Sequence, residues 1–215
     1  MSLKLYFHPL ASFCQKVLVA LYENDTPFEP HLTDLGDEAA RAEFRRLWPI
    51  GKMPVLRDAA RECTVPESSI IIEYLAQHYP GGSHLVPADP DLARQTRLRD
   101  RFYDLYVQEP MQKVVADRLR PAGAKDPLGV EQARALLRTA YGMIEQDMAR
   151  QTWAMGDAFS MADCAAAPAL FYANLVEPFE TTHGHAARYL GRLMARPSFA
   201  RAVEEAQPYF ALFPR

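Results

Sequence analysis

Near residue 80 the sequence changes texture, and that change limits the fold more than any other feature. Up to Pro80, short strand-like runs alternate with helical ones; beyond it, almost every periodic stretch has helical spacing. Such a chain places a small mixed sheet in its first part and a helical bundle in its second. The boundaries read as 1–80 for the mixed part, 81–88 for a linker rich in Gly, Ser and Pro, and 89–215 for the helical part.

The first part begins with Leu3-Lys4-Leu5-Tyr6-Phe7, which alternates as a strand and is stopped by His8-Pro9. A helix follows over 12–22, with Ser12 read as its N-cap and Phe13, Val17, Ala20 and Leu21 on one face. A second strand over 28–32 contains Pro30, which assigns it to a sheet edge or a bulge. Two strands joined by a helix run parallel. A polar helix over 37–46, a hairpin of 55–57 with 63–65, and a helix ending at Tyr79-Pro80 complete the order β-α-β-α-β-β-α.

In the second part, Asp89-Pro90 and Asp126-Pro127 each pair an Asp N-cap with Pro at the first helical position. Pro110 predicts a kink in the first of these helices. Ala133, Leu136, Leu137, Ala140, Ile144 and Met148 form the apolar stripe of the second. Ser160 and Asp163 have the spacing of a capping box, and the helix behind them, apolar on nearly every side, belongs at the centre of the bundle. Two shorter helices, 186–194 and 197–206, follow.

Composition narrows the function. The 24 basic and 27 acidic residues leave a net charge of −3, which disfavours nucleic-acid binding because counterion release needs a clustered positive surface. No apolar run is long enough to span a bilayer. The three cysteines, Cys14, Cys63 and Cys164, form neither a disulfide framework nor a metal-ligand pattern, and no signal-peptide pattern opens the chain. The expectation is a cytoplasmic protein without metal or resident cofactor, whose partners are small molecules or another copy of the chain.

Four features in this order carry a resemblance: a strand and a loop with a small polar cluster at a helix start, Gly51-Lys52-Met53-Pro54-Val55, then Pro66-Glu67-Ser68-Ser69-Ile70, and the Ser160–Asp163 box. Together they resemble the soluble glutathione S-transferase family, in its bacterial serine-type branch or a related one, over essentially the whole chain. The resemblance implies a thioredoxin-like N-terminal domain, an all-α C-terminal domain and a homodimer. It also implies detoxification chemistry, with glutathione as co-substrate attacking a small hydrophobic electrophile.

Carried over residue by residue, the resemblance gives Glu67 and Ser68 to the γ-glutamyl end of glutathione, where a helix N-terminus independently favours an anion. Met53-Pro54 matches the family's cis-proline, whose preceding residue offers its backbone to the cysteinyl moiety, and Lys52 matches a contact to the glycine carboxylate. The usual thiol-activating position falls on Ala11, which has no side-chain donor, so Ser12 is the catalytic candidate and Cys14 the alternative. Cys14 otherwise reads as a small buried hydrophobe. Phe7 stands where some classes carry a tyrosine, with Tyr6 one residue off. Tyr103, Tyr106, Met111 and Phe171 are candidate walls for the electrophile, with core packing as the plainer role for most of them. Arg94, Arg97, Arg99 and Arg101 read as a solvated face, a dimer interface or counter-charges for glutathione. Two alternatives stay open: a glutathione-dependent isomerase or reductase, disfavoured as a disulfide exchanger by the missing CxxC, and a non-catalytic glutathione-binding or interaction domain, favoured by Ala11.

Overall fold

A computed structural model describes residues 2–179 and 181–214. The first part contains β1 (Leu3–Phe7), α1 (Ser12–Glu23), β2 (Glu29–Leu32), α2 (Glu38–Leu47), β3 (Val55–Asp58), β4 (Cys63–Pro66) and α3 (Ser68–His78). The strands lie in the order β2-β1-β3-β4. β1 pairs parallel with β2 through the α1 crossover, while β3 runs antiparallel to both β1 and β4. Pro30 lies on the edge strand, where its missing N–H disturbs no interior ladder. Leu3, Leu5 and Phe7 of β1 are buried and pack with Val17, Leu18 and Leu21 of α1 in one core.

The second part contains α4 (Pro90–Phe102), a π-helical segment (Tyr103–Gln108), α5 (Glu109–Arg118), α6 (Pro127–Met148), α7 (Met161–Val176), α8 (Gly184–Met194) and α9 (Pro197–Ala206). Asp89 and Asp126 cap α4 and α6 by accepting from Leu92 N and Gly129 N at 2.8 and 2.9 Å. α7 is buried along most of its length and packs against α1, α4 and the π segment, so it joins the two halves. At the predicted kink, the backbone widens into a π turn over 103–108 just before Pro110, a proline that has no N–H to give to an i−4 carbonyl. Among the described residues, no helix is long and apolar enough to cross a membrane.

The sequence places Ser12 at the N-cap of α1, but the structure gives that position to Ala11. Ala11 is extended (φ −80°, ψ 120°), and its carbonyl accepts from Cys14 N at 2.9 Å and Gln15 N at 3.0 Å. Ser12 is therefore the first helical residue, and no side chain caps this helix start.

Candidate functional site

The mouth between the two halves is walled on one side by the loop before α1, by 51–54 and by the start of α3. The other wall is α4, the π segment and α5. Two cavities of about 480 and 380 Å³ share Phe13, Lys52 and Met53 and so form one continuous cleft. Gly51, at φ +70°, makes the turn that presents Lys52 and Met53 to it.

The larger cavity is the more polar of the two. It brings together Lys52, Met53, Pro54, Glu67 and Ser68, five of the six residues singled out in the sequence. The Met53–Pro54 bond is cis. Glu67 ends β4's connection to α3 with φ +70° and ψ 120°, a conformation that L-residues rarely adopt, and its side chain caps nothing. The capping role that could have explained Glu67 is therefore absent. Ser68 is buried at the first position of α3, and its hydroxyl bonds no described residue.

The smaller cavity is mainly apolar, with Leu10, Phe13, Met111, Val115 and Phe213 among its walls, and it contains Ser12. Ser12 is 8% exposed, and its hydroxyl makes no hydrogen bond with a described residue. The N–H groups of Ser12 and Phe13 head α1 and have no intrahelical acceptor. A hydroxyl and a helix start thus face the same space.

The alternatives to Ser12 lie elsewhere. Cys14 is fully buried, and burial pushes its thiol up to about 12, so it stays neutral and unreactive. Tyr6 lies tilted against His31, ring centroids 4.6 Å apart, in a different pocket beside α2, and Phe7 is in the core. Of the four proposed walls for a second substrate, Met111 alone lines the smaller cavity. Tyr103 is buried in the core, Tyr106 is exposed outside it, and Phe171 faces an adjoining groove through Phe210 and Phe213.

Behind the polar cavity lies a buried ionic cluster that sequence reasoning missed. Lys16, 1% exposed, reaches Asp100 at 2.7 Å, Asp104 at 2.8 Å and Ser69 at 2.9 Å; Ser69 in turn donates to Asp100 at 2.6 Å. Burial pushes the Asp104 carboxyl above its ordinary range, with Lys16 pulling it back. The cluster ties α1, which carries Ser12, to α3, which carries Ser68, and to the helical half. Its signal was present as Asp100 and Asp104 at i, i+4, but the partner lies 84 residues upstream of Asp100. Of the arginines of α4, Arg94 pairs with Asp91, Arg97 with Glu73 and Arg99 with Asp147, and both Arg97 and Arg101 line the polar cavity.

Residues 5–83 match the family model for the glutathione S-transferase N-terminal domain, and residues 127–203 match that for the C-terminal domain. The chain belongs to the glutathione S-transferase family. Glutathione S-transferase hmp2 of Hypomyces subiculosus is 27% identical over 96% of this chain and 100% of its own. A glutathione S-transferase of Methylobacillus flagellatus, solved with GSH bound, superposes with a TM-score of 0.85 at 26% identity, covering 94% of this chain and 98% of that one. One from Methylobacterium radiotolerans, in complex with glutathione sulfonate, gives a TM-score of 0.82 at 27% identity, covering 94% of each chain. The architecture is the family's: an N-terminal thioredoxin-like domain with its four-stranded mixed sheet, then an all-α C-terminal domain.

Proposed function

We propose that this member of the glutathione S-transferase family binds glutathione in the polar cavity, activates its thiol beside Ser12 and directs it at a small hydrophobic electrophile in the apolar cavity. The observation that carries the reading is the set of polar groups around one cleft, Ser12, Lys52, Glu67 and Ser68, that bond no described residue. The resemblance suggests the pairing. Ser68 and the N–H groups of α3 take the γ-glutamyl carboxylate, Glu67 its amine, the Met53 backbone the cysteinyl amides and Lys52 the glycine carboxylate. Arg101 adds a second cation on the opposite wall. One relative solved with GSH bound and another in complex with glutathione sulfonate support the binding of glutathione.

The chemistry is thiol ionisation. A free thiol with pKa about 8.5 is only a few per cent thiolate at pH 7. Lowering it by about two units takes about 2.7 kcal/mol of preferential thiolate stabilisation. A hydroxyl donating to the anion contributes about 1.5–3 kcal/mol and a helix N-terminus about 0.3–1 kcal/mol. Ser12 and the start of α1 together reach that sum. A homodimer goes with this reading, supported by the exposed apolar side chains of Ile70, Leu98 and Tyr106 on α3, α4 and the π segment. Sedimentation at micromolar concentration tests it.

Ala11 favours a second reading, in which glutathione binds without turnover. Ser12→Ala separates the two. On the first reading, the variant still binds glutathione, and the rising limb of its kcat/KM profile with a general electrophile moves about 1–2 units toward higher pH as the thiol loses its donor. Binding of glutathione by the unaltered protein with no conjugation of any electrophile class would establish the second.

A further inference from the structure

One wall of the apolar cavity is a ring with a second space on its other side. Phe213 lines the cavity of about 380 Å³ that contains Ser12, and it also lines the adjoining groove of about 560 Å³. It is the one described residue that the two spaces share. The groove is apolar along Phe171, Leu175 and Phe210, so it offers an alkyl chain the same kind of surface as the cavity does. A single side chain therefore divides two apolar spaces.

The divider is held in place. Phe213 follows a 3₁₀ helix over Gln207–Leu212, and its N–H donates to the Phe210 carbonyl at 3.1 Å. On its other side, Arg118 Nη1 donates to the Pro214 carbonyl at 2.9 Å. The ring stacks on Tyr172, with centroids 5.5 Å and planes 28° apart. Tyr172 is itself fixed: it is buried, and its hydroxyl accepts from Gln15 Nε2 at 3.1 Å. Phe213 is thus pinned through the backbone before and after it and through one face of its ring. Its neighbour Leu212, by contrast, is exposed.

Resting on the transferase reading above, we propose that Phe213 determines specificity by length: the second substrate is a compact apolar electrophile that ends against this ring, and the groove behind it is an apolar subsite closed to longer chains while Phe213 is in place. The selection is steric. A methylene that leaves water for an apolar site strengthens binding roughly fourfold. A methylene that meets a packed ring gains nothing, because it must either stay in water or displace the ring. Displacement forfeits the Tyr172 stack and the two backbone hydrogen bonds that pin the segment.

The test measures the affinity of S-alkylglutathiones from methyl to decyl by titration calorimetry, which places the chain where the electrophile sits and needs no turnover. In the unaltered protein, affinity is expected to rise roughly fourfold per CH₂ over the short chains and then to level off within the series. In Phe213→Ala the rise is expected to continue beyond that point, roughly twofold per CH₂ because the groove covers a chain from one side, so that the decyl ligand gains roughly 10-fold over the unaltered protein. Leu175→Trp fills the groove from a residue that does not line the cavity; it is expected to leave the original profile alone and to restore the plateau in the Phe213→Ala background. Phe213→Leu keeps the test informative if the alanine variant does not fold, and glutathione affinity, read in the polar cavity that contains neither residue, reports on folding. Identical profiles with and without Phe213 overturn the proposal. So does affinity that keeps climbing to decyl in the unaltered protein, or a gain in Phe213→Ala that Leu175→Trp does not remove. Conjugation of benzyl chloride by the unaltered protein shows that the transferase reading stands whichever way the profiles fall; its absence with every electrophile means that reading has failed.

Discussion

Two helix starts in this chain look alike in sequence and differ in structure. α7 begins after Ser160 with Asp163 at its third position, and α3 begins after Glu67 with Ser68 and Ser69. At α7 the Ser160 and Asp163 side chains are both paired. Asp163 accepts from Ser160 N at 2.9 Å, Ser160 Oγ at 3.0 Å, Ala154 N at 2.8 Å and Tyr189 Oη at 2.6 Å, and it has no exposure at all. At α3 the N-cap residue has a positive φ, its carboxylate caps nothing, and the next hydroxyl is buried without a partner among the described residues. A closed helix start contributes to folding. An open one, held in a strained conformation beside a cavity, leaves its N–H groups to an anion.

The contrast is broken most forcefully at the closed end. Asp163→Ala removes the common acceptor of two backbone N–H groups and two hydroxyls in the interior. The expected loss is about 3 kcal/mol or more, equivalent to roughly 6–12 °C in Tm for a chain of this size. Thermal unfolding followed by circular dichroism measures it. A loss below about 1 kcal/mol would mean that the box is not what anchors α7.

The open end should respond in the opposite manner. Ser68→Ala deletes a hydroxyl that no described residue uses, so stability is expected to stay within about 0.5 kcal/mol. Glutathione affinity, read by titration calorimetry, is expected to weaken roughly 10–100-fold, the equivalent of a hydrogen bond to a charged group. Glu67→Gly sharpens the point. A residue with φ +70° and ψ 120° costs of order 1–3 kcal/mol when it carries a Cβ, against roughly 0.5–1 kcal/mol for the extra freedom of glycine in the unfolded chain. The variant should gain about 1 kcal/mol in stability while losing affinity for the γ-glutamyl amine. A Tm that falls instead would show that Glu67 is structural after all.

The same pair of helix starts shows what the sequence could convey. Local chemistry was legible: Asp89-Pro90, Asp126-Pro127 and Ser160–Asp163 mark helix starts because their side chains satisfy N–H groups three residues away. Glu67, Ser68, Lys52 and Met53-Pro54 were found by resemblance, and the fold brings them to one cavity. Features set by distant partners were not legible. Ser12 looks like the cap because Ala is a poor one, yet the turn after Pro9 puts Ala11 in the extended conformation. Nothing beside Lys16 in the sequence marks it for burial, because Asp100 and Asp104 arrive from another helix. The π turn has no side-chain signature, so it could not be read from spacing.

The smallest expected effect concerns Cys14, which lies two residues beyond Ser12 on the same helix start and differs from it in access to the cleft. Burial pushes its thiol up to about 12, above the unfolded value of about 8.5. The sign follows from proton binding: between those values the folded state keeps a proton that the unfolded state releases, so the stability contribution is constant below about pH 8.5 and declines as pH rises through the window. In the folded protein at pH 8.5, alkylation by iodoacetamide should therefore reach half-exposed Cys63 first and Cys14 only as fast as the chain unfolds. Cys14→Ala should change kcat/KM less than about threefold, since no reacting atom meets the sulfur. Peptide mass spectrometry after timed labelling reads the first expectation. Rapid modification of Cys14 that also abolishes conjugation would move the chemistry from the open hydroxyl to the buried thiol.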